Sequence, residues 1–284
     1  MALPARPSFL GTVRDQMRRH RVTVYAAALS YSFIFALFPL LLFVAALLAF
    51  LGAGHRIPIL HGPESHLLAP GLLRLLEGAI TSASRFKSPT LLSVGAIGFL
   101  GAMSSAIRQL MTAFNAVYGI ETSRRGFLAT FALSVGLGLI LGLLVVFAEL
   151  VMVAGSHVIR SITLQSGMSG VSLALSQGVS WGLFLLTLWC VLTLLYNWLP
   201  ESSTRFRWFL PGTVTALLLW LIMSWGFSLY VSHFAHYDRT YGSLGGVILL
   251  LLYLYLVSLT LLIGGLVNAI HDQRVASHSP PTSL

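Results

Sequence analysis

Charged residues divide the chain into six long uncharged runs. No Asp, Glu, Lys or Arg occurs in these runs, which are 20 to 40 residues long and cover residues 22–54, 88–107, 126–148, 161–200, 208–237 and 240–270. A helix needs about 20 apolar residues to cross a bilayer. The pattern therefore predicts six transmembrane helices, at about 24–53, 90–107, 127–154, 179–199, 210–233 and 242–270. Residues 161–178 are rich in Ser, Gly and Gln, and we expect them to form an external loop.

Two segments outside the spans carry helical patterns. In residues 8–21, Phe9, Val13 and Met17 recur every four residues and arginines occupy another face. This pattern predicts an amphipathic helix at the membrane interface, with a short solvated arm as the alternative. Residues 71–84 follow a proline and carry an apolar stripe, which predicts a helix on the external surface of the bundle.

The predicted fold class is therefore an all-α, polytopic membrane protein. Residues 1–23 form a cytoplasmic amphipathic segment, residues 24–270 the six-helix transmembrane domain, and residues 271–284 a disordered cytoplasmic tail, whose last residues are rich in Ser and Pro.

The composition supports a membrane protein and excludes several other classes. Hydrophobic residues make up 56% of the chain and charged residues 9%, whereas soluble domains average about 25% charged residues. This excludes a soluble enzyme, a disordered chain and a coiled coil. The net charge of +9 would indicate nucleic acid in a soluble protein, but basic residues that flank spans orient them and contact anionic lipid. The single cysteine, Cys190, excludes an intrachain disulfide.

The distribution of basic residues predicts the orientation. If the N-terminus lies inside, 11 of the 17 Lys and Arg residues fall on the inner side and 6 on the outer side. Cytoplasmic loops carry the excess of basic residues, so we expect both termini in the cytoplasm. The inner arginines are Arg6, Arg14, Arg18, Arg19, Arg21, Arg108, Arg124, Arg125, Arg205, Arg207 and Arg274.

Small residues recur at every fourth position of the second and third spans. Such stripes allow close helix packing in lipid, and a ligand-lining face is the alternative. The positions are Gly98, Ala102, Ala106, Ser134, Gly138 and Gly142.

Pro39 lies inside the first predicted span. Because proline removes a backbone donor and clashes with the preceding turn, it predicts a kink or break between Phe35 and Pro39. A broken helix can line a cavity, and a simple structural kink is the alternative.

Glu149 is the one acidic residue inside a predicted span. A charge at the bilayer centre costs roughly 2.5–3.5 kcal/mol on insertion scales. Our hypothesis is that Glu149 lines a polar cavity and pairs with an arginine or serves as a proton or cation site. The alternative is a glutamate that reaches the outer headgroups or is protonated.

Two further polar groups are candidate binding sites. The external turn between the last two spans contains Tyr237, Asp238, Arg239, Tyr241 and Ser243. Its role is either that of a structural turn or that of a gate for a ligand. On the inner side, four residues are candidates for binding lipid phosphates, with orientation of the helices as the alternative role. These residues are Arg108, Asn115, Arg124 and Arg125.

Several motifs resemble those of the YihY/virulence factor BrkB family, once labelled ribonuclease BN, over about residues 8–272. They are Ala26 to Tyr31 with Leu37 to Leu40, Tyr118 to Glu121 with Arg124 to Phe127, Leu195 to Pro200, Leu210 to Gly212, Phe227 to Ser232, and Tyr237 with Thr240 to Gly245. The resemblance implies a six-helix bacterial inner-membrane protein, and Tyr31 and Pro39 become candidate binding positions through the first motif. The family often ends its last span with Gly-Ala-Glu-Leu-Asn-Ala, whereas this chain has Gly264 to Ala269 without the acid.

The histidines do not favour a ribonuclease. Metal-dependent hydrolysis requires clustered His and Asp ligands or paired acid–base groups. The nine histidines form no such motif, and those at positions 55, 61, 66, 233 and 236 fall in predicted external loops. We therefore expect no catalytic residues, no metal and no cofactor.

The resemblance to the BrkB family implies a transporter-like protein for an amphiphilic or lipid-like envelope substrate, and this is the function we expect. A non-transporting membrane scaffold for envelope integrity is the alternative, and a ribonuclease the third reading. The expected partners are membrane lipids, with anionic inner-leaflet phospholipid at the N-terminal arginines, and no nucleic acid. A second copy of the chain or an envelope protein is a further candidate partner.

Overall fold

The computed structural model describes residues 9–50, 89–120, 125–144, 169–201, 206–233 and 243–278. Within these residues the chain forms α-helices joined by short turns, and no strand occurs in them. The helices are α1 (Phe9–Arg19), α2 (Val22–Phe50), α3 (Pro89–Val117), α4 (Phe127–Leu144), α5 (Ser169–Trp198), α6 (Pro211–His233) and α7 (Ser243–His278).

Helices α2 to α7 are long and apolar enough to cross a membrane. Their most apolar windows have mean hydropathies between 1.2 and 2.6. The predicted all-α fold with six membrane spans is thereby confirmed. The amphipathic segment near the N-terminus is helix α1, as the spacing of Phe9, Val13 and Met17 predicts.

Three helices extend beyond their predicted bounds. Helix α5 begins at Ser169 inside the predicted external loop, because Ser and Gly cost less than about 1 kcal/mol each in a helix that leads into an apolar span. Helix α3 continues ten residues past 107 to Val117, and the Arg108 side chain donates a hydrogen bond to the Ser104 hydroxyl within it. Helix α7 continues to His278. The prediction of a disordered tail is therefore wrong for residues 271–278, which tertiary contacts hold in the helix.

The bundle is organised around α2, α3 and α7. Helix α2 packs against both α3 and α7, α3 also contacts α7, and α6 packs between α5 and α7. Phe114 of α3 is fully buried, and its ring meets that of Tyr196 edge-on with centroids 5.6 Å apart. Val13 and Met17 of α1 pack against this core, so the apolar side of α1 faces protein.

Glycines allow the closest helix contacts. A Cβ atom on Gly264 of α7 would lie 2.7 Å from the carbonyl oxygen of Gly212 in α6, and one on Gly138 would overlap the side chain of Met103. The packing role predicted for Gly138 is thus confirmed. Gly142 has nothing within 4 Å of such an atom, so this position of the predicted stripe makes no close contact in the described residues.

Pro39 lies in a continuous helix, since α2 runs from Val22 to Phe50 without interruption. The expectation of a break is therefore wrong, and the alternative of a simple kink at Pro39 stays a prediction. The Pro39 side chain packs against α3, where its Cβ would lie 3.6 Å from a Cβ added to Gly98. Gly98 and Pro39 form a packing contact between the two helices, and the remaining backbone hydrogen bonds and this contact hold α2 together.

Candidate functional site

One end of the bundle, called here the α1 end, contains an open cleft. Helix α1 lies there together with the starts of α2, α4 and α6 and the ends of α3, α5 and α7. The cleft has a volume of about 730 Å³. Its lining residues are mostly polar or basic: Gln16, Arg19, His20, Arg21, Tyr25, Thr112, Asn115, Ala116, Tyr118, Gly119, Ile120 and Gln273.

The turn between α1 and α2 forms the basic wall of the cleft. Arg19 and Arg21 are exposed there, and His20 is placed by a 2.8 Å hydrogen bond between its Nε2 and the side-chain oxygen of Gln16. Arg21 has φ 49°, a left-handed conformation that costs a non-glycine residue about 1–2 kcal/mol. This strained turn reverses the chain so that Arg19 and Arg21 both line the cleft.

The end of α3 forms the opposite wall. Gly119 has φ 73°, and the amides of Gly119 and Ile120 donate to the carbonyls of Ala116 and Asn115 at 3.1 and 2.8 Å. This is the glycine-dependent termination known as the Schellman motif. It turns the chain at Tyr118–Ile120 so that all three residues line the cleft.

Asn115 is fixed by a reciprocal pair of hydrogen bonds. Its Nδ2 donates to the carboxylate of Glu201 at 3.0 Å, and its Oδ1 accepts from the backbone amide of Glu201 at 3.0 Å. Asn115 is buried, so this pairing holds its amide in place at the wall of the cleft and joins the ends of α3 and α5.

Asn268 connects α7 to the start of α6 beneath the cleft. The buried Asn268 accepts a 2.6 Å hydrogen bond from the amide of Gly212, which satisfies one of the free donors at a helix N-terminus.

Tyr118 lies in the lining of the cleft. Burial is the main cause that raises the pKa of its phenol, and the Asp272 carboxylate raises it further, while Arg207 and Asn268 lower it. Tyr118 is therefore a neutral hydroxyl group at physiological pH.

The last two turns of α7 supply another wall. The Asp272 carboxylate accepts a 2.9 Å hydrogen bond from Arg207, and Arg274 lies over the Phe9 ring at 5.5 Å. These contacts hold the helix beyond residue 270 and place Gln273 at the cleft. Because Asp272 is already paired with Arg207, it contributes little free negative charge.

A second polar cluster begins one helical turn from the cleft. Thr112 lines the cleft, and its hydroxyl donates to the Arg108 carbonyl at 3.0 Å. The Arg108 guanidinium donates to Ser104 at 2.6 Å, and Ser104 bonds Ser134 of α4 at 2.6 Å. The Ser134 hydroxyl can then donate to the Phe131 carbonyl, 2.8 Å away. If Ser104 donates to Ser134 and Ser134 donates to the Phe131 carbonyl, both buried serine hydroxyls have an acceptor.

Arg108 is an ionisable residue inside a candidate membrane span, Ser93–Val117. It precedes the end of α3 by nine residues, about 13 Å at 1.5 Å per residue. Its side chain points towards the start of α3, as helical side chains do, and therefore away from the α1 end. The guanidinium is consequently directed deeper into the span and not back towards the nearer interface.

Most guanidinium donors of Arg108 have no protein partner in the described part of the chain. Of the five N–H groups that an arginine carries, the one bonded to Ser104 has an identified acceptor, and the group also lies over the Phe131 ring at 5.9 Å. Arg108 is half-buried. In the membrane such donors require an acceptor, which a lipid headgroup or water can supply.

The predicted site residues are dispersed. Asn115 lies in the cleft and Arg108 beside it, Tyr31 is 57% exposed on α2, and Pro39 packs against α3. Ser243 is the first residue of α7. Glu149, Tyr237, Asp238, Arg239, Tyr241, Arg124 and the helix predicted at 71–84 lie outside the described residues, so their roles stay predictions. Arg125 donates to the Leu199 carbonyl at 3.3 Å, a contact that joins α4 to the end of α5.

Sequence reasoning did not group the residues that form the cleft. The arginine face predicted for residues 8–21 consists of Arg14, Arg18 and Arg21, whereas Arg19 and Arg21 line the cleft. The sequence patterns do not predict Tyr25, Tyr118 or Gln273 as site residues, although all three line the cleft. The adjacent Tyr118 and Gly119 in a family-like motif were the one local signal that marked the wall at the end of α3.

The described residues contain no group of three or more His, Cys, Asp or Glu side chains placed to hold a metal ion. His271 lies 3.8 Å from the Asp272 carboxylate, and His20 lines the cleft. The histidines at positions 55, 61, 66, 157 and 236 lie outside the described residues.

Six apolar helices, with a polar cleft at one end and an arginine inside the bundle, define a multi-pass α-helical membrane protein. The family model for virulence factor BrkB matches residues 13–283, nearly the whole chain. The protein belongs to the virulence factor BrkB family.

Curated relatives include proteins from two bacterial groups. The chain is 31% identical to the ribonuclease-like protein YfkH of Bacillus subtilis (strain 168) over 267 residues, covering 94% of this chain and 96% of the relative. It is 27% identical to a UPF0761 membrane protein of Xanthomonas campestris pv. campestris (strain B100), covering 90% of this chain and 60% of that protein. The chain thus spans about 60% of the length of the Xanthomonas relative. No solved structure matches the chain.

The family-like motifs coincide with structural junctions. Gly212, Gly264 and Asn268 bring α6 and α7 together, and Tyr118 to Ile120 end α3. The position at which the family often carries an acid in the last span is Leu266, which is 1% exposed. A buried apolar side chain therefore replaces the carboxylate, so no mechanism in this chain can use an acid at that position.

Proposed function

We propose that this membrane protein is transporter-like and handles an amphiphilic, lipid-like envelope substrate. The observation that carries the proposal is Arg108, a half-buried guanidinium inside a candidate span with donors that lack acceptors among the described residues. A lipid offers both parts of the complementary chemistry, since its anionic headgroup accepts hydrogen bonds and its tails match the apolar helix surfaces.

The surroundings of Arg108 support a path for a headgroup. Thr112, Arg108 and Ser104 follow one another at every fourth position of α3, so they lie along one side of the helix. Thr112 opens into the cleft, and Ser104 is fully buried against Ser134. A headgroup that enters at the cleft can therefore exchange one polar partner for the next while its tails remain in lipid.

Lipid movement by proteoliposomes tests the proposal. The purified protein is reconstituted with fluorescent phosphatidylglycerol, and the rate at which the label becomes accessible to an external quencher is measured. We expect Arg108→Gln to lower this rate at least about tenfold, because it removes a charge-assisted hydrogen bond worth roughly 1.5–3 kcal/mol. Ser104→Ala, which removes the group that positions Arg108, should lower the rate by a smaller factor.

The control is Arg14→Gln, which removes the same charge from an exposed position on α1. It should leave the rate unchanged, and gel filtration checks the fold of each variant. Wild-type proteoliposomes that move the label no faster than empty liposomes would overturn the proposal and favour the scaffold. Equal loss in the Arg14 and Arg108 variants would show that overall charge, and not Arg108, determines the rate.

A further inference from the structure

We propose that the cleft at the α1 end is a binding site for an organic phosphate group, held by Arg19 and Arg21. This inference deepens the proposed function, because it names the headgroup chemistry of the substrate, but it requires only binding and no translocation.

The charge of the cleft selects an anion. Its described lining includes two arginines and a histidine and no carboxylate. Glu201 and Asp272 adjoin it, and each already accepts a protein hydrogen bond at its side chain, Glu201 from Asn115 at 3.0 Å and Asp272 from Arg207 at 2.9 Å. A third carboxylate, Asp15, neighbours Gln16 on α1 and is exposed to solvent. No ion pair or side-chain hydrogen bond between described residues involves Arg19 or Arg21. Their positive charge is therefore available to a ligand.

The shape of the donors favours phosphate. A guanidinium presents paired N–H groups that match two oxygens of a phosphate, and two such groups that line the same cleft can engage three oxygens. Thr112, Tyr25 and Asn115 add hydroxyl and amide groups on the facing walls. These neutral groups suit the hydroxyls of a polyol or ester attached to the phosphate.

The size of the cleft argues for more than a bare ion. Small-molecule sites usually have volumes of about 300–1,000 Å³, and the cleft at about 730 Å³ lies within this range. An inorganic phosphate would leave most of it to water. A glycerophosphate or a phospholipid headgroup would reach both the arginines and the polar wall of α3.

The backbone supports a ligand site, because two of the residues that line the cleft have left-handed conformations. Arg21 (φ 49°) and Gly119 (φ 73°) each end a helix at the cleft, and a Cβ added at Gly119 would lie 3.7 Å from the His20 ring. Strain at a non-glycine residue persists where the surroundings enforce it, often at ligand sites. Here it brings the Arg21 side chain into the cleft beside Arg19.

Phosphate chemistry can come from a lipid headgroup or from a free metabolite, and three probes separate these sources. Calorimetry on the full chain in non-ionic detergent at low ionic strength measures binding of inorganic phosphate, glycerol phosphate and mixed micelles that contain phosphatidylglycerol. Binding of the lipid alone, or of the lipid more tightly than glycerol phosphate, indicates a membrane source. Binding of glycerol phosphate with no gain from the lipid indicates a soluble ligand, and both results support a phosphate site.

The decisive comparison uses two double variants of the same helix and turn. Arg19→Gln with Arg21→Gln should weaken binding by about tenfold per arginine. Arg14→Gln with Arg18→Gln removes the same charge outside the cleft lining and should change binding by less than about threefold. If the first double variant does not fold, Arg19→Lys with Arg21→Lys keeps the charge but removes the paired donors, and should still weaken binding roughly threefold or more.

Two outcomes would overturn the phosphate site: no binding of any of the three probes to the wild-type protein, or equal weakening in both glutamine double variants. Phosphate binding without lipid movement would support the phosphate site and disprove the transporter-like function. Lipid movement without phosphate binding would support the transporter-like function and disprove the phosphate site.

Discussion

At the scale of single residues, side chains in unusual environments mark the site. Arg108 extends into a candidate membrane span and donates to the buried Ser104, which in turn bonds Ser134, and Arg21 has a left-handed backbone next to the cleft. Neither feature is needed to form a six-helix bundle. Both cost free energy, since a guanidinium in the membrane needs acceptors and a non-glycine residue at positive φ is strained. Their presence is the reason to look for a ligand at the α1 end.

Replacing Arg21 by glycine tests the strain directly. Arg21→Gly should raise the free energy of unfolding by about 0.5–1 kcal/mol, because the strain it relieves exceeds the added entropy of the unfolded chain. Thermal unfolding followed by tryptophan fluorescence measures the change.

Gly119→Ala is the matched change at the other wall of the cleft, where φ is 73°. It should lower the free energy of unfolding by about 1 kcal/mol, because it introduces the strain that glycine avoids. A lower unfolding temperature for Arg21→Gly would show that its side chain stabilises the fold more than its backbone strains it.

At the scale of helices, close backbone contacts determine how the end of the bundle is built. The α6–α7 contact depends on Gly212 and Gly264, and Asn268 caps α6 from within this contact. The extension of α7 past residue 270 depends on a helix-to-loop ion pair, Asp272 with Arg207. The same extension provides Gln273 to the cleft, so a structural contact and the candidate site share one element.

Gly264→Ala should destabilise the protein by roughly 1–3 kcal/mol, because its new Cβ would lie 2.7 Å from both the Gly212 carbonyl oxygen and the Ala216 Cβ. Gly142→Ala is the control, since nothing lies within 4 Å of its added atom, and it should stabilise the protein by up to about 1 kcal/mol because alanine favours a helix over glycine. Unfolding titrations in mixed micelles provide both values. Equal effects would contradict the α6–α7 contact.

At the scale of the whole molecule, six spans place both ends of the chain on one side of the membrane. The excess of arginines predicts that this side is cytoplasmic, which would expose the cleft to the cytoplasm and the inner leaflet. The cleft and the ends of α3, α5 and α7 would then face the cytoplasm, and the Arg108 guanidinium would lie deeper in the membrane.

Cysteine labelling tests this orientation with little background, because Cys190 is the single cysteine and can be replaced by serine. We expect a membrane-impermeant maleimide added to whole cells to label Ser65→Cys but not Ser123→Cys or Ser279→Cys. Labelling of the last two should require disrupted cells. The reverse pattern would place the cleft on the external side.

The sequence by itself determined the class, the number of spans and the family-like motifs. These properties depend on runs of apolar residues, on the scarcity of charge and on local motifs, all of which are readable along the chain. The extent of α3 was not predictable, because a charged residue after an apolar run is typical of the end of a span. The structure shows instead that Ser104 bonds the Arg108 side chain and that Ser134 bonds Ser104. The helical residues 271–278 were missed for the same reason, since their order depends on Arg207, 65 residues away from Asp272.

Only the tertiary structure decided which polar residues meet. The cleft combines residues from α1, the start of α2, the end of α3 and the end of α7, and the spacing of these residues in the sequence carries no common period. Arg19 and Arg14 look alike in the sequence, but a strained turn at Arg21 directs Arg19 and Arg21 to the cleft. Hydrophobic periodicity specifies which segments enter the membrane, whereas close packing between distant helices specifies where their polar groups converge.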